Sequence, residues 1–423
     1  MTNDNGGFPV SGRGADLILE EIDAIAKADI DWRGGRAFSL VYHPDDAELE
    51  RLQEAVGRIY LHENALNPFK YPSLVQMEQD LVGMAADLFH EPTAGGSLSS
   101  GGTESIFLAI HTARSWAEQR GVTTPNIITP DTVHPAFPKA CHYLGVEHRK
   151  VAVGPDQRAD VAGMTAAIDA NTVLLVGSAP CYPFGVIDPI PELASVAIAH
   201  EILCHVDACL GGWMLPWWER LGESVPPWDF RVPGVTSISA DIHKYGYTFK
   251  GASLVLYRDP AMVQHQWFLY DEWQGGLYGS ITTAGTRPAA PIAGAWATVR
   301  FLGADGYLAK AEMVRDATRA FQVGIAGIDG LVVTGSPNMS VFEFGAEGAD
   351  GDTPAVDIGA VGDVMDDRGW NLDRQPGGLH LMVSPYHVHM TKSFLADLAD
   401  AVAIGGTSRG KAAGYGGIAG HEG

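Results

Sequence analysis

The chain has 423 residues, of which 46% are hydrophobic and 19% charged, the balance of a globular protein with a large core. It carries 51 acidic against 28 basic residues, a formal net charge of −23. That acidity argues against a general nucleic-acid binder, which needs a basic face to displace counterions, but leaves room for a small substrate in a locally positive site.

In chain order, the first dozen residues are Gly-rich and polar and read as a loose arm, and Ala15–Ala26 reads as a short helix. Leu74, Met77, Leu81, Met84 and Leu88 recur in steps of three and four residues, the mark of an amphipathic helix over 73–88. From about 95 to 260, short apolar runs recur at Ile127-Ile128, Val173–Val176, Leu203–Val206, Val235–Ile238 and Leu254–Tyr257. Helical stretches such as Ser105–Glu118 and Pro191–His200 separate several of them. This alternation predicts an α/β fold with a mostly parallel sheet covered on both faces. Gly and Pro cluster over 274–292, which reads as a long loop. A helix over 291–302 then leads into a smaller C-terminal α+β region with strands at Leu331–Val333 and Ser340–Phe344 and a last helix at Phe394–Val402. The tail over 405–423 is Gly-rich, and there is no internal repeat.

The four cysteines, Cys141, Cys181, Cys204 and Cys209, contain no C-x-x-C pair. They read as buried thiols of a reducing cytoplasm rather than as a disulfide framework. The opening residues lack the basic-then-apolar pattern of a signal peptide, and no apolar run reaches the roughly 18 residues of a membrane span.

Four segments carry chemistry. The run Gly95-Gly96-Ser97-Leu98-Ser99-Ser100-Gly101-Gly102-Thr103-Glu104-Ser105 precedes a helix. Glycines admit a close ligand and a helix start offers free N–H groups, so the run suits a phosphate; a plain flexible loop is the alternative. No lysine follows the glycines, so it is not a Walker loop. Asp207 follows an apolar strand, where it either caps a turn or keeps the ring nitrogen of a pyridine cofactor protonated. Cys204, His205 and Cys209 around it do not have usual zinc spacing, and no metal is expected. Lys244 follows another strand in Ser237-Ile238-Ser239-Ala240-Asp241-Ile242-His243-Lys244-Tyr245-Gly246-Tyr247, as an exposed loop lysine or as a Schiff-base lysine. His134, after the Ile127-Ile128 strand, is a helix-start histidine or a flat ring able to stack on a cofactor. The order of glycine-rich loop, strand-end Asp and strand-end Lys is the order that a pyridoxal 5'-phosphate (PLP) fold needs. In open α/β sheets, ligands gather at the carboxyl ends of the strands, where these residues fall.

Together the segments resemble the sphingosine-1-phosphate lyase branch of the PLP-dependent (group II) decarboxylase family. The resemblance runs from about Tyr60 to about Val402, and SISADIHKYGY followed by FKGASLVLYRD carries most of its specificity. It implies PLP fold type I, with a seven-stranded-type central sheet and a smaller C-terminal domain. It also implies roles. Lys244 matches the Schiff-base lysine, Asp207 the acid at the pyridine nitrogen and His134 the stacked histidine. Gly102, Thr103 and His243 match groups at the cofactor phosphate, and Ser280 matches a serine reaching that phosphate from a neighbouring subunit, which implies a homodimer with shared sites. Lys250 and Tyr415 look like substrate-contacting residues. The segment Asn67-Pro68-Phe69-Lys70-Tyr71-Pro72 looks shorter than its counterpart and lacks a phosphate-recognising histidine, with Lys70 or Tyr71 as candidates to replace it.

The implied organisation is an N-terminal arm and helices over 1–65, a PLP-binding large domain over 66–300, a small domain over 301–404 and a tail over 405–423 able to act as a lid. The expected activity is a cytoplasmic carbon–carbon lyase acting on a phosphorylated amino alcohol or related amine; amino-acid decarboxylation is the alternative, because the same cofactor residues serve both.

Overall fold

The computed structural model describes residues 8–348 and 356–411. Helices α1 (Ala15–Ala26), α2 (Ala47–Ile59) and α3 (Pro72–Leu88) open the chain. The sheet and its cover follow: β1 (Gly95–Ser99), α4 (Gly102–Glu118), β2 (Asn126–Pro130), α5 (Ala136–Leu144), β3 (Glu147–Val151), α6 (Val161–Ala166), β4 (Thr172–Ser178), α7 (Ile190–Ala199), β5 (Leu203–Asp207), α8 (Leu215–Arg220), β6 (Ser237–Ala240) and β7 (Ser253–Tyr257). These seven strands form one sheet in the order β1-β7-β6-β5-β4-β2-β3. β7 runs antiparallel to both its neighbours, and the pairings among β6, β5, β4, β2 and β3 are parallel.

Strands β2, β4, β5, β6 and β7 are buried at every residue, as expected of strands covered on both faces. Their apolar runs made them legible in sequence. β3 was not, because its sequence EHRKV is polar and half-exposed at the sheet edge. The glycine-rich run also divides differently from the expected loop. Gly95–Ser99 is the opposite edge strand, and a Cβ on Gly96 would lie 2.4 Å from the Val255 carbonyl oxygen. Only residues 100–101 form the turn before α4. The 274–292 region is likewise not all loop. β8 (Phe268–Tyr270) pairs with β9 (Tyr278–Ser280) as a hairpin, and α9 begins at Ala289.

Helix α9 (Ala289–Ala326) is broken by non-helical geometry at Gly303. Before the break, Trp296 Nε1 donates to Asp80 at 2.8 Å; after it, Phe321 packs edge-on against Phe394, with ring centroids 5.3 Å apart. The C-terminal part is a four-stranded antiparallel sheet in the order β10 (Leu331–Val333), β11 (Val341–Ala346), β13 (Leu379–Met382), β12 (Asp373–Arg374), with α10 (Ile358–Asp367) and α11 (Thr391–Ile404). The N-terminal segment is laced into it. Phe38 N donates to Asn371 O at 3.1 Å, Met382 N donates to Phe38 O at 2.8 Å, and the Phe38 ring stacks on His387 at 4.1 Å. The fold is thus an α/β molecule with a mostly parallel seven-stranded sheet and a smaller α+β region, as expected.

Candidate active site

The carboxyl ends of β2, β5 and β6 and the start of α4 converge on a cavity of about 450 Å³. Gly102, Thr103, His134, His243, Lys244 and Lys250 line it, so six of the residues singled out from sequence meet in one place. Leu40, Tyr42, Glu104, Cys209 and Asp241 line it as well.

Lys244 sits just past β6, and its Nζ lies 2.9 Å from Asp241 Oδ2. Asp241 is fully buried. Burial alone would raise its pKa, but the nearby Lys244 and His243 outweigh that and hold it below the ordinary carboxylate value. His243 Nε2 is 3.6 Å from the same oxygen, and its Nδ1 accepts the Ala252 N–H at 3.2 Å. Burial pushes His243 down to about 4, so it is neutral at physiological pH. His134 accepts the Ala136 N–H on Nδ1 at 3.1 Å, and burial together with the charge of Lys244 lowers its pKa.

Asp207 ends β5 but is not among the cavity-lining residues. Its Oδ1 accepts the Cys209 N–H at 3.1 Å and the Ser239 hydroxyl at 3.3 Å, and its charge acts on His134. His205 points into the sheet, with Nδ1 2.9 Å from the Ser237 hydroxyl and Nε2 3.2 Å from that of Ser239. All four cysteines are buried and free.

The start of α4 is fixed by Glu104. One carboxylate oxygen accepts the Ser100 N–H at 2.7 Å and the other accepts the Thr283 N–H at 2.9 Å, along with the Thr283 hydroxyl. The first turn of α4 therefore faces the cavity with N–H groups that have no intrahelical acceptor. A Cβ on Gly102 would fall 2.7 Å from Asp241 Oδ2 and 2.8 Å from Cys209 Sγ, so only glycine fits. At the mouth, Lys250 Nζ lies 4.7 Å from the centre of the Tyr42 ring and donates to His243 O at 3.3 Å. Burial of its ammonium and the charge of Lys244 pull Lys250 down to about 8.

Three expected residues lie elsewhere. Ser280 is on the β8–β9 hairpin, where its hydroxyl donates to Thr282 O at 2.8 Å. Lys70 and Tyr71 precede α3, and neither lines the cavity. Tyr415 falls outside the described residues. Asp241, like Leu40, Tyr42 and Glu104, is a cavity residue to which the sequence reading gave no role; its signal was an acid three positions before the lysine in the same polar turn.

An amine at a strand end, a helix start open to an anion, a glycine with no room for a side chain and a neutral imidazole fit PLP: covalent anchor, phosphate seat and ring neighbour. Fold and site define a fold type I PLP-dependent enzyme. The chain belongs to the family of the pyridoxal-dependent decarboxylase conserved domain, which matches residues 52–330. It is 39% identical to the sphingosine-1-phosphate lyase of Oryza sativa subsp. japonica, over 91% of this chain and 72% of that protein. It is 29% identical to the L-aspartate/L-glutamate decarboxylase of Pyrococcus horikoshii, over 93% and 99%. The solved sphingosine-1-phosphate lyase of Burkholderia pseudomallei superposes with a TM-score of 0.89 at 39% identity, over 94% of this chain and 92% of the other. The protein is a PLP-dependent enzyme of the lyase/decarboxylase group, and its reaction breaks a carbon–carbon bond in an amine substrate.

Proposed function

We propose that the enzyme is an aldehyde-forming carbon–carbon lyase acting on a phosphorylated amino alcohol. The observation that carries this reading is Lys250, a lysine that lines the cavity at its mouth, with Nζ 4.7 Å from the Tyr42 ring centre, placed to pair with a substrate anion. The end-to-end likeness to lyases supports it. Lys244 anchors the cofactor, Asp207 serves its ring nitrogen, His134 its face, and Gly102, Thr103 and His243 its phosphate. PLP, when bound, supplies the electron sink for the bond broken beside the substrate amine. Asp241, 2.9 Å from Lys244 Nζ, stabilises the Lys244 ammonium whenever that amine is free, and the pair would be able to hold or move a proton at Nζ. Lys250, with Tyr42 beside it, orients the substrate phosphate; Lys70, Tyr71 and Tyr415 are further candidates for substrate contact.

The working unit in this reading is a cytoplasmic homodimer, to which Ser280 of the partner subunit adds a phosphate contact. The β8–β9 hairpin supports that assembly: Phe268, Leu269, Trp273 and Leu277 are 57–74% exposed, apolar side chains that a subunit contact would bury. Residues 66–300 act as the cofactor domain and 301–404 as the small domain; the lid expected over 405–423 falls mostly outside the described residues. Among the described residues, no helix is long and apolar enough to cross a membrane.

The test is to supply PLP-loaded enzyme with a phosphorylated 2-amino-3-hydroxyalkane and, separately, with amino acids, and to assay for aldehyde and carbon dioxide. Aldehyde release supports the lyase reading, and carbon dioxide from amino acids without aldehyde release overturns it. Lys244→Ala is expected to lose both turnover and the borohydride-trapped visible band.

A further inference from the structure

We infer that Glu104 is a positioning residue for the cofactor phosphate, a strut that sets the start of α4 against the 281–287 loop. The first N–H groups of α4 meet a phosphate only if the turn over Ser100 and Gly101 holds its course. That turn leaves β1, an edge strand with β7 as its one neighbour in the sheet, so the sheet alone does not fix it.

Glu104 lines the cavity and is buried. A carboxylate there is unfavourable on two counts: it gives up its water, and it repels an anion seated nearby. Burial alone would raise its pKa, and the hydrogen bonds from Ser100 and Thr283 more than reverse that, so the carboxylate stays charged. What it supplies to the phosphate is therefore geometry rather than attraction. One oxygen takes the Ser100 N–H at 2.7 Å, and the other takes the Thr283 N–H at 2.9 Å together with the Thr283 hydroxyl.

The far end of this strut is itself fixed. Gln266 Nε2 donates to Ile281 O at 2.8 Å and to Ser97 Oγ at 2.6 Å, and Arg287 Nη1 donates to Leu98 O at 3.2 Å. Thr283 thus lies between two residues tied to β1, the strand that leads into the turn. On the other side, Ser105 Oγ lies 2.7 Å from Ser99 Oγ and 2.8 Å from Ser253 Oγ of β7. Those hydroxyls secure Ser99 and the body of α4, while Glu104 holds Ser100 itself.

The inference rests on the start of α4 as the phosphate seat and holds whichever bond the enzyme breaks. Its experiment measures the affinity of the PLP-free enzyme for PLP and for pyridoxal, which lacks the phosphate, by the visible absorption of the bound ligand. Glu104→Gln keeps the shape but offers one acceptor oxygen in place of two, and Thr283→Val removes only the hydroxyl at the far end. PLP binding is expected to weaken about tenfold in Glu104→Gln and about threefold in Thr283→Val, the scale of one hydrogen bond to a charged group, with pyridoxal binding unchanged. Thr103→Val, at the seat itself, is expected to lower the same PLP-to-pyridoxal preference. Equal loss for both ligands in Glu104→Gln, the mark of a merely structural residue, overturns the inference. If Glu104→Gln does not fold, the same comparison in Thr283→Val decides. A preference lowered in Thr103→Val alone leaves the seat standing and overturns the strut; a preference unchanged in all three variants overturns the seat and the strut together.

Discussion

The Lys244 ammonium lies 2.9 Å from a carboxylate oxygen of Asp241, three residues earlier, and that carboxylate is buried. Breaking a buried pair leaves an uncompensated charge, at a cost of about 3 kcal/mol. Asp241→Asn is therefore expected to destabilise the PLP-free enzyme by about that amount and to weaken its uptake of PLP. Urea unfolding of the PLP-free variant, and PLP titration followed by visible absorption, measure the two effects. Unchanged values in both would show that the pair is dispensable.

Lys250 gives the substrate step a pH signature. Its pKa is lowered to about 8, so its charge is present below that value and lost above it. KM for a phosphorylated substrate is expected to be level near neutrality and to climb about tenfold per pH unit above 8, the slope of losing one proton. Lys250→Met should raise KM about thirtyfold at pH 7, the equivalent of roughly 2 kcal/mol for a truncated charge pair, and should abolish the climb. A climb that persists in the variant would assign the titration to another group.

The exposed hairpin predicts an assembly-dependent activity. Leu269 is 65% exposed, and Leu269→Asp places a charge where the proposed subunit contact would bury it. Light scattering should show the mass halved, with turnover lost in step because the shared serine no longer arrives. A fully active monomer would remove Ser280 from the site.

Acid stability follows from buried imidazoles. His205 and His380 are held down to about 4 and His387 to about 3 by burial, against an ordinary 6.5. The unfolded chain binds protons first, so this contribution is complete above about 6.5 and is lost as the pH falls toward 4. Asp188, raised by burial to about 6, acts in the opposite direction: its neutral form favours the fold below the ordinary 3.8, and that benefit is lost as the pH rises through 6. Urea midpoints should therefore fall between pH 6.5 and 4, and fall more steeply in Asp188→Asn. A midpoint independent of pH over that range would contradict both assignments.

Much of this was legible in the sequence because burial writes itself into apolar runs. The central strands announced themselves, and Lys244 and His134 followed from their places at strand ends. The edge strands did not: β3 is polar, and β1 is glycine where the neighbouring backbone crowds it. Leu40 and Tyr42 were equally hidden. They reach the cavity from the N-terminal segment only because Phe38 is anchored to the C-terminal sheet, a long-range contact that no local pattern records. Asp241 was visible but unread, since a buried acid beside a lysine looks like any turn carboxylate until its burial is known.

That anchoring of Phe38 sets a schedule. Ala37 O accepts a hydrogen bond from His387, 350 residues later in the chain. At roughly 5–20 residues per second, a ribosome needs roughly 20–70 s to make the partner. Through that interval the strip bearing Leu40 and Tyr42 waits without its dock, even after the strands that carry Lys244 and His134 have been made. The cavity gains the wall that carries Leu40 and Tyr42 only after His387 has been made, so chains that stop short of His387 are expected to bind cofactor before they can turn over substrate.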